Sequence, residues 1–341
     1  MAQHFLLSSR ARTLSLDAVL GMDEEAARAK FTQLRWPDTD GAPVCPECGG
    51  LEHWTLAEGR KWKCQACGLQ FTATSRTILA SRKLPFRKLL GVVALFANGV
   101  LGVSACRMSR DLCISYKAAF VLLHKIREAM GQDDATSAMS GVVEMDGAIF
   151  GGSLPRLPNK KELWDEFKKK NKAAARKKRK LIVVMRERQG DDPTVPGKVR
   201  TFLLPKEGDA IEIARRMVLP GSIIHADRST QWEALHLHFD TKRIDHSKSF
   251  SDGVACTNQA ESFFSRMRAA ERGVHLHISG AHMPRYAWEL AWREQYRRKP
   301  NGEQFAMIIG AAGRAKPSGT FRGYWRKRGD NDNDLLAAIA S

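Results

Sequence analysis

Two pairs of cysteines restrict what this chain can fold into more than any other feature. Cys45-Pro46-Glu47-Cys48 and Cys64-Gln65-Ala66-Cys67 are C-x-x-C knuckles separated by 15 residues, and a glycine follows each pair. Soft thiolates paired at this spacing match tetrahedral zinc, and the glycines permit the tight turns that aim backbone amides at sulfur. A redox-active C-x-x-C is the competing reading, but the βαβ pattern that surrounds such a motif is missing here. A segment this small has too little core to hold itself without metal. Four cysteines leave no open coordination position, so zinc on Cys45, Cys48, Cys64 and Cys67 would be structural. The expected unit is a zinc ribbon over residues 37–80.

The chain has 341 residues, 43% of them hydrophobic, enough for two or three domains with substantial cores. Its 55 Lys and Arg against 37 Asp and Glu give a formal charge of +18, the electrostatic footprint of a protein that docks on a polyanion. Nucleic acid is the expected partner. No apolar run reaches the ~18 residues of a spanning helix, and Met1 to Arg12 lacks the apolar core and cleavage site of a secretory signal. The expectation is a cytoplasmic protein without a membrane partner, its seven cysteines reduced or metal-bound.

Ahead of the ribbon, residues 13–36 contain an amphipathic helix, with Asp23 as N-cap and Ala27, Phe31 and Leu34 on one face. Behind it, residues 81–135 read as three helices with helix-turn-helix spacing. The third opens on Ser115, Tyr116 and Lys117, where a recognition helix presents side chains to DNA, while Ala119, Leu122, Leu123 and Ile126 face inward. A plain three-helix packing unit is the alternative. Cys106 and Cys113 read most simply as small buried hydrophobes.

From Gly141 the pattern changes to strands. Val142 to Met145, Leu181 to Arg186 and Val199 to Leu204 are followed by a helix at 207–217. A strand at 222–225, a short helix after Ser229, a strand at 242–245 and a helix from Thr257 complete a βββαβαβα order. That order belongs to an RNase H-like α/β fold, expected over 140–300. Three acids stand at telling places: Asp146, with Glu144 as its strand-alternate neighbour, where an apolar run ends in a turn residue; Asp227, at the end of Ser222 to His225; and Glu261, in the first turn of the Thr257 helix. Phosphodiester chemistry with two magnesium ions needs hard oxygen ligands from separate rigid elements, and this set offers them. Each acid taken alone also reads as a helix cap or a strand end.

Between the first two strands, residues 159–180 carry eleven basic side chains, among them Lys168, Lys169 and Lys170, against three acids. A run this dense is a solvated loop or a contact for DNA phosphates. The helix Tyr286 to Arg297 is rich in aromatics and arginines, the former expected in the core and the latter along a DNA path. Residues 301–341 read as a basic tail.

Taken together, VCPECGG, WKCQACGLQFTATSRTIL, VSACRMSRDLCISYKAAFVLLHKIREAM, VEMDGAIFGG, HADRSTQW, TNQAESFFSRMR and YAWELAWREQYRRK resemble, in this order over roughly residues 15–300, the insertion-sequence DDE transposases that carry an N-terminal zinc ribbon and are allied to the Merlin elements. The resemblance implies a retroviral integrase-like RNase H domain whose catalytic triad falls on Asp146, Asp227 and Glu261, with Asn258 as an alternative or accessory third member. It also implies a basic residue after the triad's last member, at Arg266 or Arg268. Magnesium or manganese would be the catalytic ions. The partners would be double-stranded DNA, both terminal inverted repeats and target, and a second subunit in the synaptic complex, at the nucleoid when DNA-bound. A zinc-ribbon regulator with an inactive back half, or a stand-alone nuclease, are the alternatives.

Overall fold

A computed structural model describes residues 5–133, 137–151, 179–188, 197–244 and 256–324. It divides into two units, one formed by residues 1–134 and 296–341 and the other by 135–295.

In the first unit, α1 (Leu16–Leu20) and α2 (Glu24–Arg35) lead into a small antiparallel sheet of β1 (His53–Leu56), β2 (Lys61–Cys64) and β3 (Gln70–Phe71). Asp23 caps α2 by accepting from the Ala26 amide at 2.7 Å, and Ala27 and Phe31 are fully buried on its inner face. Three helices follow: α3 (Phe86–Asn98), α4 (Ala105–Asp111) and α5 (Tyr116–Asp133). Ala119, Leu122, Leu123 and Ile126 of α5 are buried. Cys106 and Cys113, expected inside, are exposed. Met108 is the buried residue of the short α4, and Cys113 occupies a left-handed turn position at φ 49°.

The segment read as a tail begins with a helix, α9 (Asn301–Arg314), which packs against α5, α3 and α2. Asn301 accepts from the amides of Thr13 and Leu14 at 2.8 Å each, and Arg314 pairs with Asp133 at 2.8 Å. Its apolar residues Phe305, Ile308 and Ile309 are buried, so this stretch is core-forming. Of the tail's basic residues, Arg326, Lys327 and Arg328 lie outside the described residues.

The second unit is built on a five-stranded mixed sheet. β4 (Val142–Phe150) is central, flanked on one side by antiparallel β5 (Lys180–Glu187) and β6 (Val199–Leu204), and on the other by parallel β7 (Ile223–Asp227) and β8 (Asp240–Ile244). Alternation along β4 divides the work. Val143 and Met145 enter an apolar core with α6 (Ala210–Met217) and Trp232. Glu144, Ala148 and Phe150, on the opposite face, lie toward α7 (Asn258–Ala270), where the Phe150 and Phe264 rings sit 6.0 Å apart. A last helix, α8 (Met283–Tyr296), closes the unit. The strand expected to end at Asp146 runs on to Phe150, because β5 keeps pairing with β4 through Phe150 and Lys180. Gly147 is therefore a strand residue and makes no turn.

One feature of the first unit is directly testable. α3 starts at Pro85, which offers no side-chain cap, and its first amides are met instead by Glu24 of α2, from Phe86 at 2.7 Å and Arg87 at 3.1 Å. Caps of this kind contribute about 1 kcal/mol. Glu24→Ala should therefore speed hydrogen exchange at the start of α3 roughly fivefold, with little change in α8. Unchanged exchange there would show that the contact contributes nothing.

Candidate functional site

The four ribbon cysteines come together as their spacing requires. Their sulfurs all lie within 4.8 Å of one another, with Cys45–Cys67 at 3.6 Å and Cys48–Cys64 at 3.5 Å. Sulfurs around a tetrahedral zinc at about 2.3 Å stand roughly 3.8 Å apart, so the cluster fits a structural zinc ion. Gly49 and Gly68 take φ of +74° and +73°, and their amides close the knuckles on the Cys45 and Cys64 carbonyls at 3.0 Å each. The amides of Gly50 and Leu69 point at the Cys48 and Cys67 sulfurs. Trp36, Trp62 and Phe71 pack around Cys45 and Cys64 as the small core.

The carboxylates gather where the β4–β7 pairing stops. That ladder joins Val142 to Ile223 and Glu144 to His225, a constant offset that puts Asp146 level with Asp227, two steps further on the same face. Asp227 is the last residue of β7, and its carboxylate accepts from the Ser229 amide at 3.0 Å. Glu261 is in the first turn of α7. Asp146 registers all of this. Burial, with repulsion from Asp227, Glu261 and Glu207, pushes its carboxyl up to about 7 against the lowering effect of the Gly147 amide. Among the described residues, Asp146, Asp227 and Glu207 have no ion-pair partner, and no three of the acids approach one another as closely as the cysteines do.

What fixes α7 at this edge is a row of polar residues across three strands, two residues before the aspartates. Glu144 of β4 is fully buried and accepts from the Gln259 and Ala260 amides at 2.9 and 3.0 Å. Its ladder partner on β5, Arg186, donates to the Gln259 carbonyl at 3.2 Å. Its partner on β7, His225, sits 3.2 Å through Nδ1 from the Cys256 backbone. Thr257, expected as the N-cap, stands at the cap position without a side-chain cap bond, because Glu144 supplies the acceptor. Burial raises the Glu144 carboxyl, opposed by the two amides and by Arg188 at 3.6 Å.

The remaining expected residues distribute unevenly. Asn258 is exposed at the first position of α7. Arg266 is committed to Glu294, which also holds Arg186 at 3.3 Å, whereas Arg268 is exposed, its guanidinium 5.5 Å from the Phe150 ring centre. Of the arginines in Tyr286 to Arg297, expected along a DNA path, Arg293 is buried and bonded to Glu289 at 2.9 Å, whereas Arg297 is exposed. Ser115 caps α5 through the Ala118 amide, with Tyr116 and Lys117 exposed beside it. Lys168, Lys169 and Lys170 lie outside the described residues. The sequence reading missed Glu207, which follows β6 by three residues. Its only local signal is an acid soon after a strand end.

Residues 138–295 match the ISXO2-like transposase domain, and residues 22–70 match the transposase zinc-ribbon domain. No curated protein matches the chain.

Two measurements check the site. Purified protein should carry one zinc per chain by elemental analysis, and Cys64→Ser with Cys67→Ser should lose it; an unchanged content would remove the ribbon assignment. Asp146 gives a signed pH dependence. A carboxyl whose folded value is raised from 3.8 to about 7 favours folding fully below 3.8 and loses that contribution as pH rises through 7. In chelator, the melting temperature of the parent should therefore fall relative to Asp146→Asn between pH 4 and 7. Parallel curves would show that Asp146 is not under this strain.

Proposed function

Because the chain belongs to the zinc-ribbon insertion-sequence DDE transposases, we propose that it cuts the ends of its own element and joins them to target DNA. The observation that carries this reading is the gathering of Asp146, Asp227 and Glu261 in the matched domain, where burial first, and then repulsion from the other acids, pushes the Asp146 carboxyl up to about 7. Carboxylates from two strands and a helix form a hard-oxygen donor set, which fits a site that takes magnesium or manganese. Bound divalent ions supply charge neutralisation at the scissile phosphate and a lower pKa for the attacking water. We read the surrounding sheet and helices as an RNase H-like domain.

The protein's own part is placement. The two aspartates sit level on adjacent strands, and Glu144, Arg186 and His225 hold the helix that brings Glu261 to them. Water attacks first and frees a 3′ hydroxyl, which is the second nucleophile. No covalent protein–DNA intermediate is required.

DNA recognition falls to the ribbon and to α3–α5, read as a helix-turn-helix with Ser115, Tyr116 and Lys117 at the duplex. Arg268 and the basic run with Lys168, Lys169 and Lys170 contact phosphates, adding affinity without sequence preference. Pairing two ends requires at least two subunits. No described helix is long and apolar enough to cross a membrane, and we place the protein in the cytoplasm, at its DNA.

Asp146→Asn, Asp227→Asn and Glu261→Gln keep side-chain volume and remove one negative ligand each. Each should lower strand cleavage of a labelled element end by at least about a hundredfold, with end binding by mobility shift retained. Asn258→Ala should leave substantial activity. Loss of cleavage in Asn258→Ala with retention in Glu261→Gln would transfer the third role to Asn258. Full cleavage by all four variants would leave a DNA-binding regulator as the better reading.

A further inference from the structure

Glu207 has no place in the triad, yet the fold takes trouble to hold it there. It opens the turn Glu207–Asp209 between β6 and α6. Its amide donates to the Gln231 side chain at 3.1 Å, and its carboxylate accepts from Ser229, two residues beyond Asp227. The carboxylate lies against the backbone of Gly147, immediately after Asp146. A Cβ built on Gly147 would stand 2.5 Å from Glu207 Oε1, 2.9 Å from Cγ and 3.0 Å from Cδ.

That contact explains a glycine that backbone geometry does not. Gly147 pairs as an ordinary residue of β4, opposite Val183, and is not among the positive-φ positions of the chain. In the middle of a strand glycine costs stability, and no conformational demand offsets that cost here. Space does: only a residue without a side chain lets the Glu207 carboxylate lie beside the Asp146 peptide. The closeness brings together acids that repel one another, and among the described residues no Lys or Arg side chain pairs with Glu207. An exposed loop acid would be expected to turn to solvent. This one is held by Ser229 and Gln231 against the strand that bears Asp146.

We propose that Glu207 is a fourth carboxylate of the divalent-cation site, admitted by Gly147 and oriented by Ser229. The inference rests on the cation-site reading above and adds to it a ligand outside the triad. Gly147 is a positioning residue in this scheme, acting only through the room it gives Glu207.

Calorimetric titration of the full-length, zinc-loaded chain with Mn2+ in the absence of DNA tests the inference without reference to activity. Glu207→Gln, nearly isosteric, should weaken Mn2+ binding by about tenfold or more. Gly147→Ala should weaken it comparably in the parent, but should add no further loss in a Glu207→Ala background, where the three atoms its new methyl would meet first are gone. Circular dichroism establishes that each variant is folded, and Glu207→Gln decides the matter if Gly147→Ala is not. Titration of Glu207→Gln like the parent, with binding lost in Asp146→Asn, would overturn the role of Glu207 alone. Titration of Asp146→Asn like the parent would overturn the cation site, and this inference with it.

Discussion

The second unit of this molecule depends on one buried carboxylate, Glu144, that stands outside the proposed triad. Glu144 sits inside the central strand with its side chain wholly out of water, and two backbone amides of α7 meet it there. The first amides of a helix have no partner within the helix, and its N-terminus carries partial positive charge. An acid presented from the sheet satisfies both conditions at once, so α7 docks at one place and in one rotation. His225 and Arg186, its neighbours across the ladders, bind backbone on either side of the same turn. Glu261, the next residue of the same first turn, is thereby brought near enough to Asp146 for its charge to act on it.

The same device recurs in the other unit, where Glu24 meets the first amides of α3. Neither helix has a local cap: α3 follows a proline, and Thr257 leaves its cap position without a side-chain bond. In each case a helix carrying little capping information of its own receives it from an element distant in sequence. The consequence is coupling, because such a helix is set only when its partner element is folded. α8 adds a second coupling in the second unit, since Glu294 holds Arg186 of β5 and Arg266 of α7 together.

This division between local and distant determinants also decides what the sequence reveals. The cysteines were legible because metal geometry acts over four residues. The strands and α7 were legible because burial imposes short periodicities, and Asp146, Asp227 and Glu261 drew attention because each stood at the end or the opening of an apolar run, although β4 continues past Asp146 to Phe150. Glu207 was invisible, since what makes it special is the missing methyl of Gly147, sixty residues earlier in the chain. Gly147 itself read as a turn residue, the usual meaning of glycine after a strand, when its role is to leave space. Arg293 read as a surface contact because its partner Glu289 sits on the same helix and only burial of the pair turns it inward. Asn301–Arg314 was passed over within a basic tail, although Phe305, Ile308 and Ile309 carry a helical spacing that its docking on α3 and α5 explains.

Glu144 and Asp146 show how environment, not residue type, assigns a role. They are two residues apart on the same face of one strand, and burial raises the carboxyl of each. Around Glu144 the opposing terms are favourable: two amides, Arg188 and Arg186 stabilise its charge, and a cation would have nothing to add. Around Asp146 burial and repulsion from Asp227, Glu261 and Glu207 outweigh a single amide, so its negative charge is disfavoured. In a chain with a formal charge of +18, lysine or arginine was abundantly available to neutralise that edge, and among the described residues none pairs with Asp146, Asp227 or Glu207. Acids gathered in this way cost stability in the protein alone, and on the proposed reading a divalent cation would remove that cost, so that its binding and the order of the site would be one equilibrium. Glu144, two residues earlier, is bound to the amides of α7 through its own Oε2, so the anchor of that helix does not run through the edge.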